Sequence, residues 1–238
     1  MNNFHETQPV IQPNIPIMAI SQPSSNTTLA SKSTPNILAA DAVLHIQSAT
    51  SIDAPCQDVW NILIDTSTWP SWNTFVPRVT IRDQPGSDSP SSSQTLSPIL
   101  QIGTKMTFHV HMDPSSSARQ RAQDVPIVVT EFDPPSVSPP RPGRIVWTGD
   151  VTAKGGMPAS LLTVERVHEV EELEVQGERG LTKRVTEVRN WEAQVGYLVY
   201  VVRWMYGAQL KKNFETWVQD LKQYVQTAKM DHEAVVVS

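Results

Sequence analysis

The chain reads as an α+β protein, a curved antiparallel sheet of about six or seven strands closed over one long C-terminal helix. Three observations predict it. Apolar and polar residues alternate with a period of two near residue 44, and again in successive segments between residues 75 and 195. One unbroken helical stripe, Leu210, Phe214, Trp217, Leu221 and Tyr224, lies near the end. Between the first strand and the rest there is room for only two short helices.

Taken in order, residues 1–41 are rich in Ser, Thr, Pro, Asn and Gln and hold Lys32 as their only Lys or Arg. They are expected to be a disordered tail. In "AVLHIQSATSID", Leu44, Ile46, Ser48, Thr50 and Ile52 share one side, which predicts a strand. "DAPCQDVWNILID" follows, with Asp53 as a candidate N-cap and Pro55 in a permitted first turn. Cys56, Val59, Trp60 and Leu63 then recur at helical spacing, so Cys56 is expected to be a buried structural thiol. A second short helix is expected to hold Trp69 and Trp72.

Alternation returns in "FVPRVTIR", "GTKMTFHVHM", "VPIVVTEF" and "RIVWTGDV". "SLLTVERVHEVEEL" and "LTKRVTEVRNWEA" flank a turn with Gly177 and Gly180 and read as a long hairpin. Two Pro/Ser-rich stretches, 84–98 and 134–143, are expected to be disordered insertions within one domain spanning 42–228. The second has five prolines in ten residues, which argues against ladder pairing. From about Tyr197 to Thr227 only Gly207 interrupts a helix, and 229–238 is expected to be a C-terminal tail.

Several function classes drop out. The net charge is −5 and no Lys/Arg stripe is visible, so nucleic-acid binding is not expected. A single cysteine excludes an internal disulfide. The N-terminal stretch lacks a basic region followed by an apolar run, and the apolar run "YLVYVV" is too short to span a bilayer. A cytoplasmic protein without a transmembrane segment is expected. There is no Gly-x-Ser-x-Gly elbow, P-loop or Gly-rich dinucleotide turn. His109 and His111 share a strand face but find no evident third ligand, so no metal is expected, and no other cofactor either.

The segments "SIDAPCQDVWNILIDTSTWPSWNTFV", "VTEFDPP…RIVWTGDV", "ERVHEVEEL" with "TKRVTEVRNWEA", and "LKKNFETWVQDLKQYV" resemble the START-like, helix-grip superfamily. That group includes polyketide cyclases/dehydratases and coenzyme Q-binding proteins. The resemblance implies a cavity between sheet and helix and a small hydrophobic ligand. It carries over no catalytic residue, because the superfamily shares no catalytic motif. The activities it implies are polyketide-type cyclisation and dehydration, non-catalytic carriage of a quinone or lipid, or protein interaction of the Hsp90-activator type.

The residues add candidates of their own. On one strand of the hairpin, Arg166 and His168 fall on the more apolar face. On the other, Glu187 and Arg189 share a face with Val185 and Trp191. If both faces point inward, a Glu or His could take a proton next to a carbonyl while an Arg steadies the enolate. Glu187 and His168 are the expected acid/base pair, with Arg166 or Arg189 as oxyanion partner. The expected pocket wall is Trp69, Trp72, Phe75, Phe108, Trp147, Trp191, Tyr200 and Trp204, an aromatic lining suited to a polycyclic or quinone-like ligand.

Overall fold

Alternating side chains produce the strands, and the chain order produces their arrangement. The computed structural model describes residues 30–86, 96–114, 122–176 and 180–237, with side chains placed to Met230 in the last helix. Strand β1 (Leu44–Ile52) leads into helix α1 (Cys56–Ile64) and a single 3-10 turn at Trp69–Ser71. Then come β2 (Arg78–Asp83), β3 (Lys105–Val110), β4 (Gln123–Asp133), the two-residue strands β5 (Ser136–Val137) and β6 (Pro140–Arg141), and β7 (Gly143–Gly149). The hairpin strands β8 (Thr163–Gln176) and β9 (Thr182–Val195) precede helix α2 (Val199–Val237). Seven strands form one antiparallel sheet in the order β1-β9-β8-β7-β4-β3-β2.

The core follows from strand parity. Leu44, Ile46 and Ile52 of β1, Met106 and Phe108 of β3, Ile145 and Trp147 of β7, and Val188 of β9 are all buried. They meet the stripe Leu210, Phe214, Trp217, Val218 and Leu221 of α2, also buried. Each stripe alone would leave a row of large apolar groups in water, so helix and sheet stabilise each other by covering both. At the junction of β9 and α2, Gly196 has φ +114° and lies against Leu161, where a Cβ would come within 2.5 Å of a carbonyl oxygen. Only glycine fits that bend without strain.

Four expectations need correction. Pro134–Gly143 is not without pairing, because Ser136–Val137 and Pro140–Arg141 form a short ladder. Asp53 does not cap α1; Pro55 is the N-cap residue, and the Asp53 carboxylate pairs with Lys183 at 2.7 Å and Lys229 at 3.5 Å. The C-terminal stretch 229–237 continues α2 rather than leaving it.

The fourth concerns the N-terminal tail. Residues 1–29, 87–95 and most of the 177–180 turn lie outside the described residues. Residues 31–41, however, form an ordered strap over the convex face of the sheet. There Glu165 of β8 is buried, and its carboxylate accepts hydrogen bonds from Thr34 Oγ1 (2.6 Å), the Asn36 backbone N–H (2.9 Å) and Asn36 Nδ2 (2.5 Å). Trp191 Nε1 donates to the Ser33 carbonyl at 3.1 Å, and Lys32 reaches Glu169 at 3.0 Å. The strap also covers a small apolar cluster of Val146, Val167 and Trp191. Polarity hid this order, because the strap is held by hydrogen bonds and not by an apolar period. Glu165→Ala should lower stability by about 2 kcal/mol in urea unfolding and release the Asn36 amide to fast hydrogen exchange, since it removes the acceptor of three hydrogen bonds at once.

Candidate functional site

The register of the β8–β9 hairpin decides which polar residues share the interior. His168 lies opposite Asn190, Arg166 opposite Glu192, Glu169 opposite Arg189 and Glu171 opposite Glu187. Directly opposed residues project from the same face of a sheet. The concave face therefore carries Arg166, His168, Asn190, Glu192 and Gln194. Glu187 and Arg189 project from the convex face, so the expected four-residue cluster divides into two pairs.

The convex pair is satisfied by its neighbours. Arg189 bonds Glu169 at 2.9 Å and Glu171 at 3.0 Å, and also pairs with Glu187. Burial works against the Glu169 carboxylate, but Lys32 and Arg189 outweigh it and hold its pKa below the ordinary value.

The concave pair sits among aromatic rings. Arg166 contacts Glu192 Oε2 at 2.8 Å through both Nε and Nη2, and Gln194 Nε2 donates to the other Glu192 oxygen at 2.5 Å. The Arg166 guanidinium lies 4.2 Å from the centre of the Phe214 ring and 5.6 Å from that of Phe75. Next along the strand row, Ser48 Oγ bonds Asn190 and the Phe214 carbonyl.

His168 differs from all of these. It is 0% exposed, and among the described residues neither ring nitrogen has a hydrogen-bond partner. Its ring lies between two indoles, 4.4 Å from Trp147 and 4.3 Å from Trp217 by centroid. Burial, and then the charge of Arg166, push its pKa well below 6.5, so the imidazole is neutral at neutral pH. Leaving both nitrogens unmatched in an apolar shell costs free energy that a leucine there would not incur.

The expected wall residues divide as well. Trp69, Trp72, Phe75, Phe108 and Trp147 are buried together. Ring centroids lie 5.9 Å apart for Trp69–Trp72, 5.4 Å for Trp69–Phe108, 5.6 Å for Phe108–Trp147 and 5.4 Å for Trp72–Trp217. These rings touch one another and continue directly to His168. Trp191 is buried on the opposite face, beneath the strap. Tyr200 and Trp204, 57% and 84% exposed, lie on the outer surface of α2. The residues not anticipated are Ser48, Asn190, Glu192 and Gln194. The available signal was that Glu192 and Arg166 are complementary charges on the two arms of one hairpin.

Two surface grooves adjoin this core. One, of about 300 Å³, is lined by Trp72, Asn73, Pro77 and His111 among others. The other, of about 570 Å³, follows the β2 edge past Pro70, Arg78 and Thr80. His109 uses both ring nitrogens, toward Asp124 Oδ1 at 2.7 Å and Thr80 Oγ1 at 2.8 Å. Cys56 is buried, and burial is the first cause that pushes its thiol pKa up to about 11.

A seven-stranded antiparallel sheet gripping a C-terminal helix, with short helical turns after the first strand, is the START-like helix-grip fold. Among solved structures, hypothetical protein jhp0584 from Helicobacter pylori shares this fold at 17% identity and a TM-score of 0.55, over 89% of this chain and 99% of that one. A START superfamily protein from Mycobacterium smegmatis, 12% identical, superposes over 77% of this chain and 98% of that one with a TM-score of 0.46. No family profile matches the sequence. The oxopyrrolidines biosynthesis cluster protein O of Penicillium oxalicum is 42% identical over 199 residues, covering 83% of this chain and 94% of that protein. The chain belongs to the family of that protein. Among the described residues, no helix is long and apolar enough to cross a membrane.

Proposed function

We propose that this protein binds a small, flat, hydrophobic molecule between the concave sheet face and α2, and that its polar groups engage His168. The observation that carries this reading is the imidazole itself, fully buried, unpartnered and held between Trp147 and Trp217. A ligand carbonyl or hydroxyl would supply the missing partner, and its ring system would replace ring-to-ring contacts with equivalent ones. The relative from an oxopyrrolidine biosynthesis cluster supports a place in natural-product biosynthesis. The groove beside Trp72 and Asn73 borders the aromatic core, and among the described residues the buried Asn73 Nδ2 amide has no partner.

The same geometry suits polyketide-type ring closure. A neutral imidazole can take a proton from a carbon next to a carbonyl. The enolate carbon attacks a second carbonyl, and the imidazolium returns the proton to the new alkoxide. That attack closes the ring, and removal of a second α-proton with departure of the hydroxyl as water then leaves a carbon–carbon double bond. Arg166, steadied by Glu192, is placed to balance charge developing on the oxygen. In this reading Glu192 supports Arg166, and His168 acts without Glu187, which the sequence suggested as its acid/base partner and which lies on the convex face. A carrier without turnover would use the same imidazole only as a hydrogen-bonding anchor, for example to a quinone carbonyl.

The test is a titration with aromatic polyketides, short-chain quinones and lipids, followed by tryptophan fluorescence. Trp147 and Trp217 flank the site, so one class should give saturable quenching at micromolar concentration in the wild type. His168→Leu should weaken that response by about tenfold or more, the loss of one buried hydrogen bond. No saturable response from any class, or an unchanged response in the variant, overturns the reading. Turnover of the bound class then distinguishes enzyme from carrier.

A further inference from the structure

The start of α2 presents a surface that the interior reading does not use. Tyr197 is 78% exposed, Tyr200 57%, Val201 49%, Trp204 84% and Met205 54%. Within the helix these recur at spacings of three and four, so they form one outward stripe. The loop before β8 abuts it, because the Leu198 N–H donates to the Leu161 carbonyl at 2.9 Å. That loop adds Met157, 44% exposed. Exposed apolar groups of this size gathered on one face mark a contact surface.

The charges around it name the occupant. The chain carries −5 overall, yet no acidic residue occurs between Glu192 and Glu215. That stretch holds Arg203, Lys211 and Lys212, all exposed, and the adjoining loop contributes Lys154. The order along the helix is aromatic first and basic after. Seven residues apart, Trp204 and Lys211 lie on the same side of the helix about 10 Å from each other along its axis, so one lipid surface can meet both. Trp and Tyr favour that boundary, where an apolar ring and a polar edge are both accommodated. A second copy meeting this face across a two-fold axis would set Arg203, Lys211 and Lys212 against themselves.

We infer that the first turns of α2 dock on an anionic lipid surface, with Trp204 and Tyr200 in the acyl boundary and Lys211 and Lys212 among the headgroups. This is peripheral contact by the folded protein, and it does not depend on the identity of the interior ligand.

The full chain is sedimented with phosphatidylcholine vesicles, with and without phosphatidylserine. Binding should be much stronger with phosphatidylserine than without it, fall as salt rises and shift tryptophan emission to the blue. The double variant Tyr200→Ala/Trp204→Ala should bind more than about tenfold more weakly. Lys211→Gln/Lys212→Gln should weaken binding to the anionic vesicles by roughly tenfold or more, and leave the weak binding to neutral vesicles unchanged. These side chains are exposed, so circular dichroism and the melting transition should be those of the wild type. Failure to sediment with the phosphatidylserine vesicles overturns the proposal. So does equal binding by the aromatic variant, or a dimer in sedimentation equilibrium that Trp204→Ala returns to monomer.

Discussion

Glu192→Ala should destabilise the fold by about 3–5 kcal/mol, the largest effect expected of any single polar substitution in the interior. The cause is Arg166, which would remain buried with its charge unmatched. Its guanidinium is enclosed by Phe214 and Phe75, and among the described residues it pairs with Glu192 alone. The loss also removes the acceptor of Gln194 Nε2. Removing both charges tests the same physics with the opposite sign. Arg166→Met combined with Glu192→Leu should be neutral or should stabilise by about 1–4 kcal/mol, since neither charge then needs to leave water. Urea unfolding of the single and double variants measures both. A double variant as unstable as Glu192→Ala would mean that the pair contributes more than its desolvation costs. If ring closure is the activity, the double variant should be the more stable protein and the inactive one.

His168→Leu should stabilise the protein by about 1–3 kcal/mol while weakening the ligand response. Leucine fills a similar volume between Trp147 and Trp217 and brings no unmatched nitrogen. The pH dependence gives an independent reading. In the folded protein the imidazole titrates well below 6.5, so between that lower value and 6.5 the unfolded chain binds a proton that the native one does not. Stability from this residue is therefore complete above pH 6.5. It is lost as pH falls from 6.5 toward the folded value, by about 1.4 kcal/mol per pH unit. Unfolding followed on both sides of that pH should show the loss in the wild type, and the slope should be shallower by that amount in His168→Leu. Identical slopes would mean that the imidazole is hydrated or protonated in the native state.

Period-two alternation made the strand faces readable one strand at a time. It placed Arg166 and His168 correctly, because Val164 and Val170 flank them on the same parity. It could not join one strand to the next. In β9 the odd residues include Val185 and Trp191, which look like the inward set, yet the inward set is Val188, Asn190, Glu192 and Gln194. Register is fixed by the hairpin turn, and a shift of one residue exchanges the two faces. Trp191 misled because it is buried on the convex side, by a strap that carries no apolar period. The long helix was evident from its stripe. The outward aromatic face at its start was not, since "YLVYVVRWMY" is apolar nearly all round and only the packing of α2 shows which side faces water.

The strap has a consequence for the order of events during synthesis. Thr34 and Glu165 are separated by 131 positions, Lys32 and Glu169 by 137, and Ser33 and Trp191 by 158. Residues 32–36 are made before the β8–β9 hairpin and therefore wait for it before they find their partners. Until then the growing chain holds Val146 and Val167 without their cover. Residues made before their partners and locked after them give the strap contacts high contact order, and open a window in translation when a chaperone or a neighbouring chain can reach the bare convex face.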